Sequence, residues 1–265
     1  MTGSGNDFVM VDGRSSGPGD WSVRDIRAVC ARGTGIGADG LVFIAPGAAP
    51  GAVRMAYFNS DGSRAAMCGN AALCTTQLAA RLGLANGRGM SLETDAGTYE
   101  SRCAPAERAE LRLAPVRAPQ HVPGLCVGDG ERRAALAVVG VPHLIVLVDE
   151  IDRVDLPQRG RDLRSDPALG PEGANVNFIS PAGTREGWRM RTYERGVEAE
   201  TLACGTGAVA AACAVQQWGL GTLPTTIWTR SGRTIEIRAR QTANGSYDDV
   251  WLVGEARLVF RGVIT

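Results

Sequence analysis

The sequence predicts an α+β fold built from two similar, pseudo-symmetric domains, each a mostly antiparallel or barrel-like β-sheet around one central helix. Three observations predict it. The segment Ala66-Met67-Cys68-Gly69-Asn70-Ala71-Ala72 recurs as Leu202-Ala203-Cys204-Gly205-Thr206-Gly207-Ala208, each time Cys-Gly and a small polar residue ahead of a run of small residues. The likeness extends upstream, where Arg54-Met55-Ala56-Tyr57-Phe58 is echoed by Arg189-Met190-Arg191-Thr192-Tyr193. More loosely, Gly5-Asn6-Asp7-Phe8-Val9-Met10-Val11-Asp12 is echoed by Pro142-His143-Leu144-Ile145-Val146-Leu147-Val148-Asp149. A repeat of half the chain is too long for a solenoid and fits a duplicated domain. Finally, many short apolar runs surround one long small-residue helix per half, which is an α+β pattern.

Taken in order, the turn Gly3-Ser4-Gly5-Asn6 leads into an apolar strand over 8–12. Residues 21–32 carry Val23, Ile26 and Val29 at helical spacing, with Ser22 placed to cap. The glycine-rich turn Gly35-Ile36-Gly37-Ala38-Asp39-Gly40 enters a strand over 41–44. Neither a lysine nor a helix follows it, so it reads as a loop and not as a phosphate cradle. A strand over 54–59 and a turn at Asp61-Gly62 precede the first Cys-Gly segment, and a helix over 71–82, ended by Gly83, follows it. Strands over 91–94, 98–103 and 110–113 come next, and Pro105, Pro115, Pro119 and Pro123 mark the connection out of the first domain. In the second half, strands over 134–139, 144–148, 175–179 and 189–193, with a short helix within 154–164, lead to Cys204. Its helix runs to Trp218 and closes at Gly219 and Gly221. Strands over 225–229, 233–238, 250–253 and 256–260 complete the chain. The domains are expected at 1–115 and 116–265, the last strands packing back on the first.

The 265 residues suffice for two substantial cores. Lys+Arg and Asp+Glu both number 28, so no bulk field draws the chain to nucleic acid or to an anionic membrane. Every one of those basic residues is arginine. A pyridoxal-phosphate enzyme holds its cofactor as a Schiff base on lysine, so that chemistry is excluded. The seven cysteines are odd in number and without framework spacing, which suits a reducing compartment. No stretch approaches a membrane span and the N-terminus lacks a secretory pattern, so the expected location is the cytoplasm.

A Cys immediately before a helix faces backbone N–H groups without intrahelical acceptors and the positive end of the helix dipole, which together stabilise a thiolate. The same N–H groups can hold a carboxylate. With the two halves facing across a cleft, Cys68 and Cys204 would approach one molecule from opposite sides, one thiolate removing a proton and the opposite thiol returning one. Cys30, Cys74, Cys103, Cys126 and Cys213 lack the motif and read as small buried hydrophobes. His143, taken alone, reads as structural.

These stretches, with Phe58-Asn59-Ser60-Asp61-Gly62, Glu93-Thr94, Pro142-His143, Asn175-Val176-Asn177-Phe178, Glu194-Arg195-Gly196 and Glu200-Thr201-Leu202-Ala203-Cys204-Gly205-Thr206-Gly207 in order, resemble the diaminopimelate epimerase family over nearly the whole length. The resemblance implies a cofactor-independent isomerase without metal, epimerising LL-2,6-diaminopimelate to the meso form in lysine and peptidoglycan precursor biosynthesis. It implies that Cys68 and Cys204 are the bases, that Asn6, Asn59, Asn175, Glu194 and Arg195 contact substrate, and that Gly69, Asn70, Gly205 and Thr206 surround the reacting carboxylate. His143 and Glu194 match the family's accessory pair, which helps to set thiol protonation. Ala71 and Leu73 stand where the family has Gly and Arg, and Val141 stands where an Asn touches the distal part of the substrate. Loss of that amide opens an alternative, a racemase of another amino acid such as histidine on the same scaffold. The expected partner is a small amino-acid substrate, and a homodimer paired through a β-rich surface is among the states the sequence allows.

Overall fold

The structure is a computed structural model describing residues 1–264. The chain divides into two compact units, one of Met1–Leu113 with the residues from Val253 onward, the other Ala114–Leu252. The first unit contains β1 (Thr2–Gly3), β2 (Asn6–Asp12), α1 (Val23–Cys30), β3 (Gly40–Pro46), β4 (Ala52–Asn59), β5 (Arg64–Ala65), α2 (Gly69–Arg81), β6 (Met90–Thr94), β7 (Gly97–Ala104) and β8 (Arg108–Leu113). The second contains β9 (Glu131–Val139), β10 (Val141–Val148), α3 (Leu156–Arg164), β11 (Asn175–Pro181), β12 (Trp188–Glu194), β13 (Ala199–Thr201), α4 (Gly205–Gln217), β14 (Thr225–Trp228), β15 (Thr234–Gln241) and the start of β16 (Tyr247–Glu255).

The strand order in the first unit is β1-β2-β3-β4-β6-β7-β8, with β5 on β4. In the second it is β9-β10-β11-β12-β14-β15-β16, with β13 on β12. Parallel pairs are β2 with β3 and β4 with β6, repeated as β10 with β11 and β12 with β14. A parallel pair needs a crossover, and a helix supplies each one: α1 and α2 in the first unit, α3 and α4 in the second. Other repeated pairs are antiparallel: β1 with β2, β3 with β4, β4 with β5 and β6 with β7 match β9 with β10, β11 with β12, β12 with β13 and β14 with β15. The duplication legible in the sequence is therefore one of topology, strand for strand.

Each sheet has two covered faces. On the outer face of the first unit, Ile26 and Cys30 of α1 pack with Leu41, Phe43 and Ala56, flanked by Val9, Val11 and Phe58. On the outer face of the second, Leu156 and Leu163 of α3 pack with Leu144, Val146, Val176, Phe178 and Tyr193. Strand side chains alternate, so Phe8, Val42 and Tyr57 in one unit, and His143, Asn177 and Thr192 in the other, belong to the opposite, inner face. That face receives α2 or α4. Both inner helices are buried nearly all round, Asn70 to Gln77 in α2 and Gly207 to Val215 in α4. A helix without a polar face has no stable place at a surface, and its Ala-rich composition lets strands approach on every side.

Local signals fix the outer helices. The Ser22 side chain accepts from Asp25 N while Asp25 accepts from Ser22 N, a capping box contributing about 1 kcal/mol. Asp155 caps α3 by accepting from Gln158 N. The expected helix over 21–32 is shorter than its apolar spacing suggested, because Ser22 starts it and Ala31 is already extended. Helix α2 starts two residues before the expected 71, and both inner helices start directly after their Cys.

Two expectations are corrected. No strand covers 256–260: β16 ends at Glu255, only Arg257 makes a bridge, to Thr2, and Val259 and Phe260 are exposed, with no sheet face to bury their alternation. The upstream echo also shifts by two residues, because the registers Phe8 opposite Gly40 and His143 opposite Asn175 make Phe8, not Asn6, the counterpart of His143. On the same registers Val42 corresponds to Asn177 and Tyr57 to Thr192.

Candidate active site

In the first unit, β5 pairs with β4 and delivers the chain to Cys68, the N-cap of α2, with φ −137° and ψ 121°. The extended N-cap turns the chain so that the N–H groups of the first helical turn, beginning at Gly69 and Asn70, have no acceptor within the helix. Cys makes no side-chain cap there, where Ser or Asp would gain about 1 kcal/mol. Asn70 Nδ2 donates to Asn6 Oδ1 at 2.7 Å, and Asn6 Nδ2 donates to Asp39 Oδ2 at 2.9 Å. Asp39 and Asp7 are in turn held by Arg32. This relay gives the glycine-rich turn 35–40 a purpose: it places a carboxylate that fixes the Asn6 amide, which fixes Asn70. Asn70 Oδ1 is buried without a partner. Asn59 ends β4, its Nδ2 donating to Ser63 Oγ across a tight turn.

The second unit repeats the delivery. Strand β13 pairs with β12, held by a bidentate Arg191–Glu200 pair at 2.8 and 2.9 Å, and leads to Cys204, the N-cap of α4 with φ −130° and ψ 110°. Thr206 Oγ1 lies 3.6 Å from Cys204 Sγ. Asn175 Oδ1 accepts from the backbone N of Arg195 at 2.8 Å, tying the end of β12 to the start of β11. Glu194 is the last residue of β12, opposite Ala199. The Arg195 guanidinium reaches Glu172, through its carbonyl at 3.2 Å and its exposed carboxylate at 3.4 Å. His143 is fully buried, and burial together with the nearby Arg195 charge pushes its pKa down to about 3, so its ring is neutral.

Of the residues singled out in sequence, Asn6 and Asn70 are thus brought into contact, as are Cys204 with Thr206 and Asn175 with Arg195. Two residues of the matching stretches were given no role there. Asn177 is fully buried, with Nδ2 3.3 Å from both His143 Nδ1 and Leu144 O, and Oδ1 accepting from Thr192 Oγ1 at 2.9 Å. A methyl group on Gly207 would stand 2.3 Å from Asn177 Oδ1 and 3.2 Å from Cys204 Sγ, so helix and amide meet at van der Waals limits. The alternation Asn175-Val176-Asn177 could have shown both amides on one strand face.

The other thiols lie away from the starts of the inner helices. Burial pushes Cys74 and Cys213 up to about 12 and Cys30 up to about 11, which keeps them protonated. Cys126 is exposed, correcting its expected burial, because it lies outside every helix and strand. Among the described residues, no group of three His, Cys, Asp or Glu side chains could hold a metal ion, and no helix is long and apolar enough to cross a membrane.

The site is thus set in a duplicated α+β unit with a cysteine at the N-cap of each inner helix. A phenazine biosynthesis protein of the PhzF family from Bacillus anthracis shares the fold with a TM-score of 0.73 at 13% identity, over 96% of this chain and 92% of that one. The sequence matches the diaminopimelate epimerase family over residues 1–116 and 135–258, and the chain belongs to that family. A diaminopimelate epimerase of Gemmatimonas aurantiaca is 44% identical over 272 residues, covering 100% of this chain and 97% of that protein. The diaminopimelate epimerase of Chlorobaculum tepidum is 36% identical over 269 residues, covering 100% of each.

Proposed function

We propose that this chain epimerises LL-2,6-diaminopimelate to the meso form by passing protons between the α-carbon and two thiols, Cys68 on one face and Cys204 on the other. The observation that carries this is the same backbone solution in both units of a member of this family, a cysteine as extended N-cap of a buried helix of 13 residues. One cysteine starts as thiolate and the other as thiol. The α-C–H bond breaks, its proton goes to the thiolate, and the electron pair stays on carbon, delocalised into the carboxylate. The opposite thiol then forms the new C–H bond and is left as thiolate, so one turnover exchanges the two roles and readies the site for the reverse reaction.

The α-hydrogen is a weak acid, so charge developing on the carboxylate must meet preorganised donors. The leading N–H groups of α2 and α4, at Gly69-Asn70 and Gly205-Thr206, supply them without a Schiff base, for which the chain has no lysine. Asn6, Asn59, Asn175 and Glu194 complete the substrate contacts, and His143 with Glu194 sets thiol protonation. Arg195 takes the distal carboxylate. Its present contact with the exposed Glu172 is of a kind worth about 0–1 kcal/mol, so a substrate carboxylate offering a bidentate pair replaces it. The seven free cysteines fit a cytoplasmic setting.

The test is α-proton exchange in heavy water with LL-diaminopimelate beside histidine, glutamate, lysine and arginine. Diaminopimelate should exchange fastest, and Arg195→Ala should weaken its catalytic efficiency by at least about tenfold, whereas Val141→Asn should be neutral or mildly helpful. Faster exchange of histidine would instead establish the histidine racemase alternative.

A further inference from the structure

Beneath α4 the inner face of the sheet carries a closed set of polar groups with no counterpart beneath α2. Asn177 Nδ2 faces three acceptors: Leu144 O and His143 Nδ1, each at 3.3 Å, and Asn175 O at 3.5 Å. The two carbonyl oxygens fix the orientation of the amide, since the opposite flip would set oxygen against oxygen. Oδ1 then receives the Thr192 hydroxyl proton, on the side where the helix comes close at Gly207. With an N–H donor directed at it, His143 Nδ1 must present a lone pair. In a neutral ring the proton is therefore on Nε2, and that atom is buried without a protein partner.

We infer that Asn177 is a positioning residue that locks His143 in the Nε2–H tautomer, so that His143 serves as a neutral hydrogen-bond donor and not as a proton-transfer base. Only the kinetic consequence rests on the proposed epimerisation. Thr192 and Gly207 share the task by holding the Asn177 amide, one through its hydroxyl and the other through the absence of a side chain. A donor of fixed direction and constant charge can favour a thiolate or carboxylate throughout the cycle, whereas an imidazolium would carry its own proton into the exchange.

Ring-15N NMR tests this directly, because the chain has only two histidines and His121 can be removed as His121→Gln. In that background His143 should show one tautomer, Nε2 protonated and Nδ1 accepting, between about pH 5 and 8, where free histidine mixes tautomers and becomes charged. A proton on Nδ1, or an imidazolium in this range, would overturn the inference without any further variant. Asn177→Asp should place a proton on Nδ1 and lower kcat by at least about tenfold with KM changed far less, while Thr192→Ser, which keeps the hydroxyl, should behave as the parent. An unprotonated Nδ1 in folded Asn177→Asp would refute the role of Asn177. The expected tautomer in a protein that fails to exchange diaminopimelate would refute the substrate assignment alone.

Discussion

The two inner helices begin alike and rest on different floors. Both follow an extended Cys N-cap, both have 13 residues, and both are reached through a short strand paired to the preceding one. Beneath α2 lie Phe8, Val42 and Tyr57, with Phe8 and Tyr57 edge to face at 6.1 Å; at the matching positions beneath α4 stand His143, Asn177 and Thr192, hydrogen-bonded to one another. Three residues after the thiol, α2 carries the buried Ala71 and α4 carries Gly207 against the Asn177 amide. The first unit instead fixes its helix terminus from the loop side, through Arg32, Asp39, Asn6 and Asn70. What both units hold constant is what a symmetric proton exchange needs twice. The means of holding the terminus has diverged, toward a solvent-facing ion pair in one half and a neutral buried network in the other.

The sharpest way to break the comparison is to exchange the residues at the third helical position. Gly207→Ala sets a methyl 2.3 Å from Asn177 Oδ1, an amide held by its own hydrogen bonds, and is expected to cost about 3 kcal/mol, with loss of activity. Ala71→Gly should cost about 1 kcal/mol, mainly in helix propensity. Adding Asn177→Ala to Gly207→Ala should recover at least about 1 kcal/mol. Urea unfolding of the four proteins decides it, and equal costs for the two single variants would contradict the close contact.

Next in size is acid sensitivity. The folded pKa of His143 lies far below that of an unfolded histidine, so its contribution to stability is present above about pH 6.5 and lost as pH falls toward 3. Between pH 6.5 and 5 this amounts to about 2 kcal/mol. His143→Phe, which copies Phe8, should flatten that limb although it lowers stability at neutral pH. An unchanged slope would mean that the ring titrates normally.

At alkaline pH the halves should behave alike. Cys74 in α2 and Cys213 in α4 have folded pKa values raised to about 12, so their contribution is full below about pH 9 and is lost as pH rises toward 12. With no lysine to titrate, Cys74→Ala and Cys213→Ala should each remove about 1 kcal/mol of the stability lost between pH 9 and 10. Of similar size, Ser22→Ala should cost about 1 kcal/mol, and Asp155→Ala less, since its cap is one long bond; neither should change kcat.

The duplicated α+β architecture was the part of the fold most legible in sequence, because side-chain period and small-residue runs report directly on strand faces and buried helices. The starts of the inner helices were less so: the Gly after each Cys looks like a breaker until the N-cap geometry gives it a place. The thiols and their flanking Gly-Asn and Gly-Thr could be read because the same pattern occurs twice. Asn177 could not be weighted, since an amide in a strand gains its meaning from His143 and Gly207, which lie far from it in sequence. The strand expected at 256–260 failed for the converse reason: a favourable pattern forms no strand where pairing stops at a single bridge, here Arg257 with Thr2.

The central claim is that Cys68 and Cys204 each serve one face of a single α-carbon. It is tested most directly by following LL-diaminopimelate in heavy water with Cys68→Ala and Cys204→Ala, each shown by circular dichroism to be folded. Both variants should lose net inversion in both directions by at least about a thousandfold, since each thiol is the base one way and the acid the other. A folded variant keeping more than a few per cent of the parent rate in either direction would show that its missing cysteine is not one of the two bases.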